Sequence, residues 1–196
     1  MRIIAGSFRG RRLLVPPGQA IRPTGERARE ALFDVLEHGA PPVRGARFLD
    51  LFCGTGAVGL EAHSRGAAEV LLIEHDCAAI KVAQANVARL GTPPGVRLLA
   101  RDASRLGPAP HPFDLIFLDP PYRSGLADVT LGALAQGEWL AGDARVIVEL
   151  AAAADLALPA GYTLERERRY GSTKFLFLRH SKSAAAAKGA AAAPNP

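Results

Sequence analysis

From residue 47 to residue 150, the chain alternates short apolar runs, which predict buried strands, with stretches of helical periodicity. Strands are predicted at 47–52, 69–74, 96–100, 113–119 and 144–150, and helices at 58–64, 78–90 and 126–136. This alternation is typical of a doubly wound α/β fold, with a parallel sheet covered by helices on both faces. Two further extended runs, 162–170 and 174–179, predict a closing antiparallel hairpin and bring the mostly parallel sheet to seven strands.

Smaller units are expected on both sides of this alternation. The pattern of residues 1–40 predicts a small β-hairpin around Gly6 and Gly10, followed by a helix that Thr24 could cap. Residues 41–180 form the doubly wound domain, and residues 181–196 predict a disordered, basic, alanine-rich tail.

Length and composition exclude several classes of protein. No apolar run is long enough to cross a membrane, and the first residues lack the apolar stretch of a signal peptide. Two cysteines cannot form a disulfide framework, and no Cys or His cluster has the spacing of metal ligands. We therefore expect a cytoplasmic protein that binds no metal. We also expect a monomer, although none of these features determines the oligomeric state.

The charge of the chain is distributed unevenly. Residues 1–30 carry seven arginines against two glutamates, and residues 165–196 carry seven arginines or lysines against two glutamates. The segment between them holds fifteen acidic and ten basic residues. Basic ends around an acidic middle are typical of a protein that holds a polyanion, although the same charges also serve solubility. Charge alone leaves both interpretations open.

A glycine-rich turn follows the first predicted strand, with the sequence Asp-Leu-Phe-Cys-Gly-Thr-Gly-Ala-Val-Gly from Asp50 onwards. Glycines let the backbone turn sharply and approach a ligand at the carboxyl end of a strand, where doubly wound sheets bind their ligands. The spacing of Gly54, Gly56 and Gly59 also satisfies the dinucleotide fingerprint. Asp50 disfavours that alternative, because its carboxylate would repel a pyrophosphate but attract a sulfonium or an amino group.

Two further acids stand at the ends of predicted strands. Glu74 closes the second strand and can accept hydrogen bonds from both hydroxyls of a ribose. Asp102, followed by Ala103, comes just after the third strand and can accept a hydrogen bond from an adenine amine. Either acid alone could be an ordinary solvated loop residue, but their joint placement at strand ends favours a cofactor that contains a nucleoside. Cys53 is interpreted as a small loop residue, because no histidine partner for a nucleophile is evident.

The tetrapeptide Asp119-Pro120-Pro121-Tyr122 follows an apolar run that predicts the fourth strand. The two prolines lack backbone donors and stiffen the loop, so that carbonyl groups remain free to face a ligand. The Asp119 carboxylate and the Pro120 carbonyl can accept hydrogen bonds from an NH₂ group, and Tyr122 can stack on the ring that bears it. The motif therefore predicts a site that orients an exocyclic amine.

Together these motifs resemble those of class I S-adenosylmethionine-dependent methyltransferases, and the tetrapeptide is similar to the [Asn/Asp]-Pro-Pro-[Tyr/Phe] motif of amino methyltransferases. The resemblance implies a Rossmann-like fold and S-adenosylmethionine as the cofactor. The cofactor-binding residues are then expected to be Asp50, Phe52, Gly54, Gly56, Glu74, Asp102 and Ala103. The motif alone also fits DNA methyltransferases acting on the adenine amine and protein methyltransferases acting on the glutamine amide.

The rest of the chain resembles the bacterial 16S rRNA guanine-N2-methyltransferases of the RsmD type. The stretches that carry this resemblance are Met1-Arg2-Ile3-Ile4-Ala5-Gly6, Arg22-Pro23-Thr24, Ala28-Arg29-Glu30-Ala31-Leu32-Phe33, Gly59-Leu60-Glu61-Ala62, Phe113-Asp114 and Tyr170-Gly171. They imply methylation of a guanine N2 amine in 16S rRNA, within an assembled or partly assembled small ribosomal subunit. The catalytic residues are then Asp119, Pro120, Pro121 and Tyr122. RNA contacts are expected from Arg2, Arg9, Arg11, Arg12, Arg22, Thr24 and Arg27.

Two alternatives to this function belong to other classes. An adenine-amine DNA methyltransferase would normally carry a target-recognition insert, and no insert of that size is visible in the chain. A non-catalytic RNA-binding module with the same fold would not need both the glycine turn and the Asp119 tetrapeptide to be intact.

Overall fold

The computed structural model describes residues 1–16, 23–121 and 125–181. Its strands are β1 (Arg47–Leu51), β2 (Glu69–Glu74), β3 (Val96–Ala100), β4 (Phe113–Leu118), β5 (Leu140–Ala151), β6 (Tyr162–Tyr170) and β7 (Thr173–His180). Its helices are α1 (Pro23–Glu37), α2 (Ala57–Ser64), α3 (Cys77–Arg89) and α4 (Leu126–Gln136), with a 3₁₀ turn at Ala103–Arg105. In this described part of the chain, no helix is both long enough and apolar enough for a membrane span.

All seven strands belong to one sheet with the order β3-β2-β1-β4-β5-β7-β6. Strands β1 to β5 pair in parallel, and β7 runs antiparallel to both of its neighbours. The predicted doubly wound, mostly parallel, seven-stranded sheet is thus confirmed. The chain proceeds outward from β1 to β3 and then returns to β4 on the other side of β1. Open α/β sheets bind their ligands outside the carboxyl ends of the strands at such a reversal.

Side chains that alternate along the strands divide the apolar core into two layers. Phe48 of β1 belongs to a layer with Phe33 of α1 and Leu60 of α2. The next residue, Leu49, belongs to the opposite layer with Leu131 of α4. The side of the sheet covered by α1, α2 and α3 is called the α1 face below. Every second residue of β1, β4 and β5 therefore points towards that face.

The start of the chain folds back on itself but contains little regular strand. Arg2 and Arg12 form a single antiparallel bridge, and backbone hydrogen bonds join Ile3 to Arg11 and Leu13 to Met1 on either side of it, so residues 1–16 make a compact arm. Helix α1 begins at Pro23, which places Thr24 within the first turn, so the prediction that Thr24 caps the helix is wrong. Proline suits the first helical position because its φ is already helical and its missing N–H needs no partner there.

Buried polar side chains of α2 bind this N-terminal arm. The Glu61 carboxylate accepts hydrogen bonds from the backbone amides of Ile4, at 2.8 Å, and Ala5, at 3.0 Å. The Ser64 hydroxyl accepts one from the Phe8 amide at 2.9 Å and donates one to the Ala5 carbonyl at 2.5 Å. Since backbone groups that leave water need partners, these two side chains determine where the arm lies.

Asn86 of α3 binds the other end of the arm to the glycine turn. Its side-chain oxygen accepts a hydrogen bond from the Leu14 amide at 2.6 Å. Its side-chain nitrogen donates to the carbonyls of Leu14, at 3.1 Å, and Thr55, at 2.9 Å. One fully buried amide side chain thus joins α3, the arm and the turn between β1 and α2.

Replacing Asn86 by leucine should lower the free energy of unfolding by about 2–4 kcal/mol, because three backbone groups lose their partner at once. Urea unfolding followed by circular dichroism measures the change. Gln84→Leu, at an exposed position of the same helix, is the matched control and should alter stability by less than about 0.5 kcal/mol. Equal effects of the two substitutions would contradict the role assigned to Asn86.

Candidate functional site

Carboxylates from three neighbouring strands converge at the carboxyl edge of the sheet. Asp50 of β1, Asp119 directly after β4 and Glu149 of β5 all border one cavity of about 320 Å³. Asp50 of β1 lies beside Phe117 of β4, which lies beside Ile147 of β5. Asp119 and Glu149 each come two residues later, so they extend from the ends of β4 and β5 side by side. Because side chains alternate along a strand, all three acids project from the α1 face.

Asp50 is buried at the floor of this cavity. Its Oδ2 atom accepts a hydrogen bond from the Gly59 amide of α2 at 2.8 Å. The pKa of Asp50 is raised to about 8, mainly by burial and also by the nearby carboxylates of Asp119 and Glu74, whereas the hydrogen bond from Gly59 opposes the rise. A cation in the cavity would favour the charged form of Asp50.

The pKa values of Asp119 and Glu149 are also raised, mainly because the protein displaces water from both carboxyl groups. Asp119 is exposed at the mouth of the cavity, but the surrounding protein displaces water from it and raises its pKa. Burial raises the pKa of Glu149, and the charge of Asp119 adds to the rise, whereas a hydrogen bond from Thr173 opposes it. Because these carboxyl groups are poorly hydrated and close together, the cavity favours ligands that bring positive charge or N–H donors.

Among the described residues, no group of three or more His, Cys, Asp or Glu side chains is placed to hold a metal ion.

The turn between β1 and α2 forms one wall of the cavity. Phe52, Gly54 and Gly56 have φ angles of 58°, 54° and 76°, all in the left-handed region. Phenylalanine rarely adopts such an angle, and strain of this kind is typical of functional turns. A Cβ atom on Gly59 would lie 2.3 Å from the Leu72 side chain, so this glycine allows α2 to pack directly on β2.

Glu74 lies below the same turn and is buried. Its Oε2 atom accepts a hydrogen bond from the Gly54 amide at 2.9 Å. Its Oε1 atom accepts two more, from the amides of His75 at 2.8 Å and Asp76 at 2.9 Å. Glu74 therefore fixes the conformation of the turn, a role that the sequence did not suggest.

Asp102 and Ala103 lie further along the edge, at the end of β3. The Asp102 Oδ1 atom accepts hydrogen bonds from the amide of Ser104, at 2.8 Å, and its hydroxyl, at 2.7 Å, and these bonds lower the pKa of Asp102. Ala103 is buried below it. Of the predicted cofactor-binding residues, Asp50, Phe52 and Gly54 border the cavity, whereas its lining does not include Gly56, Glu74, Asp102 or Ala103.

The Asp119 tetrapeptide begins where β4 ends. The Asp119 amide donates to the Leu51 carbonyl at 3.4 Å, which continues the pairing of β4 with β1 by one residue. Pro120 is buried and Pro121 is exposed, and both border a second cavity beside α4. Asp119 therefore shares a cavity with Asp50, whereas the two prolines lie in the turn that leads to α4. Tyr122 lies outside the described residues.

The predicted RNA-binding arginines are spread over the N-terminal arm and α1. Arg2, Arg9 and Arg27 border one groove, together with Glu26 and Glu30. The Arg11 side chain donates to the Arg89 carbonyl at the end of α3 at 2.9 Å. Arg12 is exposed opposite Arg2. Arg22 and the side chain of Thr24 lie outside the described residues.

Glu149 is a residue of the site that the sequence motifs do not mark. It is the single charged residue of the apolar run Val-Ile-Val-Glu-Leu at 146–150. An acid in a strand that is otherwise buried is costly, and a functional site can justify that cost. That signal was available, but a link to Asp119 required the pairing of β4 with β5.

Known proteins resemble this chain over most of its length. Residues 1–179 match the family described as conserved hypothetical protein 95. Ribosomal RNA small subunit methyltransferase D of Escherichia coli (strain K12) is 39% identical over 176 residues, which cover 89% of this chain and 87% of that protein. The protein of the same name from Haemophilus influenzae is 33% identical over 180 residues, covering 89% and 91%. The solved structure of yhhF from Escherichia coli superposes with a TM-score of 0.79 at 38% identity, covering 92% of this chain and 98% of that chain.

Asp50→Asn should stabilise the ligand-free protein, and more so at pH 8 than at pH 5. An aspartate outside a folded protein has a pKa near 4, whereas that of Asp50 is raised to about 8. Between these values the folded state binds more protons than the unfolded state, so the free energy of unfolding of the wild type falls as the pH rises. Asparagine still accepts the Gly59 bond but does not titrate.

Thermal unfolding at both pH values should show a relative gain for Asp50→Asn that grows by an amount on the order of 1–3 kcal/mol. Asp143→Asn, which neutralises an exposed acid at the other end of β5, is the matched control and should show no such growth. A gain independent of pH would contradict the raised pKa of Asp50.

Proposed function

This chain belongs to the family of the ribosomal RNA small subunit methyltransferase D proteins, and on that premise we propose that it transfers a methyl group from S-adenosylmethionine to the N2 amine of a guanine in 16S rRNA. The observation that carries the proposal is the convergence of Asp50, Asp119 and Glu149 beside the glycine turn. A cavity lined with carboxylates suits a cationic methyl donor and an amine that presents N–H groups.

The residues around the cavity fit S-adenosylmethionine. The turn at Gly54 and Gly56 would lie against the methionine part, Glu74 would accept the ribose hydroxyls, and Asp102 with Ala103 would contact the adenine. When bound, the cofactor supplies an electrophilic methyl group on a positively charged sulfur. Asp50 would face that charge across the floor of the cavity, which would offset the cost of its own burial.

Asp119 would orient the amine that receives the methyl group. The lone pair of a guanine amine is delocalised into the ring, so the nitrogen must be aimed in line with the methyl carbon and the sulfur, with reacting atoms about 3–3.5 Å apart. The Asp119 carboxylate and the Pro120 carbonyl would accept the two N–H groups and set that line, while Tyr122 stacks on the base.

The proton released from the methylated nitrogen also requires an acceptor. The negative charge of Asp119 would favour the positive charge that grows on the nitrogen during transfer. Its pKa is raised by the surrounding protein, which makes the carboxylate a better proton acceptor near neutral pH. One residue would thus orient the amine, stabilise the transition state and take the proton.

The substrate RNA would be held by the basic surface of the N-terminal arm and α1. Arg2, Arg9 and Arg27 border a shared groove, and phosphate contacts from such arginines lose affinity steeply as salt rises. The target base must leave any stack to reach Asp119, so a loop or an unpaired nucleotide of the small subunit is the least costly substrate.

Methyl transfer to four substrates tests this proposal. The protein is incubated with methyl-labelled S-adenosylmethionine and small ribosomal subunits from cells lacking the enzyme, naked 16S rRNA, duplex DNA or cellular protein. Label recovered as N2-methylguanine in 16S rRNA is the expected result. Label only in adenine of DNA or in glutamine of protein would overturn the proposal.

Asp119→Ala should slow the methyl transfer step in the same assay by at least about 100-fold, because the amine loses an orienting group and a proton acceptor. Asp119→Asn should lose less, since its amide oxygen still accepts a hydrogen bond. Single-turnover rates measure the effect, and calorimetry should show S-adenosylmethionine affinities near that of the wild type. A wild-type rate in Asp119→Ala would place the chemistry elsewhere.

Glu74→Ala should weaken S-adenosylmethionine binding by about 1.5–3 kcal/mol, the range for hydrogen bonds to a charged group. The variant would lose the acceptor for the ribose hydroxyls and also the bond that fixes the Gly54 amide. Calorimetry measures the affinity. Glu69→Ala is the matched control, because Glu69 lies at the opposite end of β2, and it should bind the cofactor like the wild type. Unchanged affinity in Glu74→Ala would remove Glu74 from the cofactor site.

A further inference from the structure

Glu149 adds to the negative charge of the cavity that it shares with Asp119, but the proposed function gives it no contact with the substrate. The strand register explains why the two residues are close. Leu118 of β4 pairs with Val148 of β5, so Asp119 and Glu149, the next residue along each strand, lie beside each other. Adjacent strands lie about 4.8 Å apart. Two carboxylates at that separation can reach neighbouring donors on the edge of one base.

On the side of β5 away from Asp119, Glu149 is flanked by a buried aromatic residue of β7. Its antiparallel partner on β7 is Phe175, which is buried and contacts the Phe117 ring with 6.4 Å between centroids. A hydrogen bond with Thr173 holds the carboxyl group. Among the described residues, no lysine or arginine forms an ion pair with Glu149. The carboxylate is therefore held in place but lacks a cationic partner from within the described part of the fold.

We propose that Glu149 determines the specificity for guanine, by accepting a hydrogen bond from N1–H while Asp119 holds the N2 amine. This inference rests on the proposed function. In guanine the ring nitrogen next to the exocyclic amine carries a hydrogen, whereas in adenine the corresponding nitrogen presents a lone pair. An ionised Glu149 therefore pairs with guanine and repels adenine, and a site that leaves a buried polar group unpaired rejects the wrong ligand strongly.

The environment of Glu149 links this bond to the binding of its ligands. Burial raises the pKa of the carboxyl group to about 8, so the ligand-free cavity favours the protonated form at neutral pH and leaves the charged form poorly solvated. A donor that reaches it there replaces missing water and gains more than it would at an exposed acid. A cationic cofactor nearby favours the same ionised form.

The test uses single-turnover methylation of small subunits reconstituted with either guanine or 2-aminopurine at the methylated position. 2-Aminopurine retains the N2 amine but has no hydrogen on N1. The wild type should methylate guanine about 10- to 100-fold faster than 2-aminopurine, the range for one hydrogen bond to a charged group. This comparison needs no variant, and equal wild-type rates on the two bases would overturn the inference.

Variants then assign the preference to Glu149. In Glu149→Ala the preference for guanine should fall below about 3-fold, and in Glu149→Gln it should be intermediate, since a neutral amide still accepts a hydrogen bond. The missing O6 of 2-aminopurine affects the wild type and the variants alike, so it cancels in this comparison. Asp143→Asn, on the same strand but exposed, should keep the wild-type preference.

The outcomes distinguish a failure of the role of Glu149 from a failure of the proposed function. A purely structural role of Glu149 would lower the rates on both bases equally and leave the preference unchanged, which would overturn this inference alone. Absence of N2-methylguanine with the wild type would overturn the proposed function and the inference with it. Calorimetric S-adenosylmethionine binding by each variant shows that its cavity is intact.

Discussion

The hydrogen bond from the Gly59 amide to the Asp50 carboxylate joins the end of β1 to the first turns of α2. Because Gly59 has no side chain, α2 lies directly on β2, where a Cβ atom would come within 2.3 Å of Leu72 and 2.9 Å of Val70. This close approach leaves little room between strand and helix, and the intervening turn passes through left-handed conformations to complete the connection. The wall of the cavity and the position of its deepest carboxylate therefore depend on one glycine and one aspartate.

The carboxyl edge of the sheet collects negative charge, and no lysine or arginine in the described part of the chain forms an ion pair with Asp50, Asp119 or Glu149. Burial raises the pKa values of Asp50 and Glu149, and neighbouring carboxylates add to both rises, whereas loss of water alone raises the pKa of Asp119. Each shift records the free energy cost of placing a carboxylate where it is poorly hydrated. A ligand with a positive charge or several N–H donors recovers part of that energy when it binds. The ligand-free site is thus preorganised for its ligands, and it need not rearrange its dipoles when they arrive.

Much of the fold could be predicted from local patterns. Strand β2 and helix α4 occupy the predicted residues, because charged or glycine-containing segments bound their apolar patterns on both sides. Strand β5 begins at Leu140 and not at residue 144, since its pairing with β4 contains a register shift that extends it through Gly142 and Asp143. The arm is shorter in regular structure than its apolar runs suggested, because pairing of its two halves is limited to the residues around Arg2 and Arg12, while the amides of Ile4, Ala5 and Phe8 bond to Glu61 and Ser64.

The candidate site was predictable where a local motif marks the acid, as the glycine turn does for Asp50 and the Pro-Pro turn does for Asp119. Glu149 lies within an apolar run, and its relation to Asp119 depends on strand pairing, which local sequence does not encode. The same limit applies to Asn86, whose partners are 31 and 72 residues away. Separation in sequence, more than residue type, decided what local patterns could reveal.

The attachment of the N-terminal arm also constrains the order in which the protein can fold during synthesis. The partners of Ile4 and Leu14 lie 57 and 72 residues further along the chain. Contacts of such long range form late, because the intervening chain must be made and closed into a loop first. A nascent chain that ends before α3 is complete therefore lacks the partner of Leu14, although Glu61 and Ser64 of α2 are already present. The arm is synthesised first, but its native hydrogen bonds become available in two steps, with α2 and then with α3.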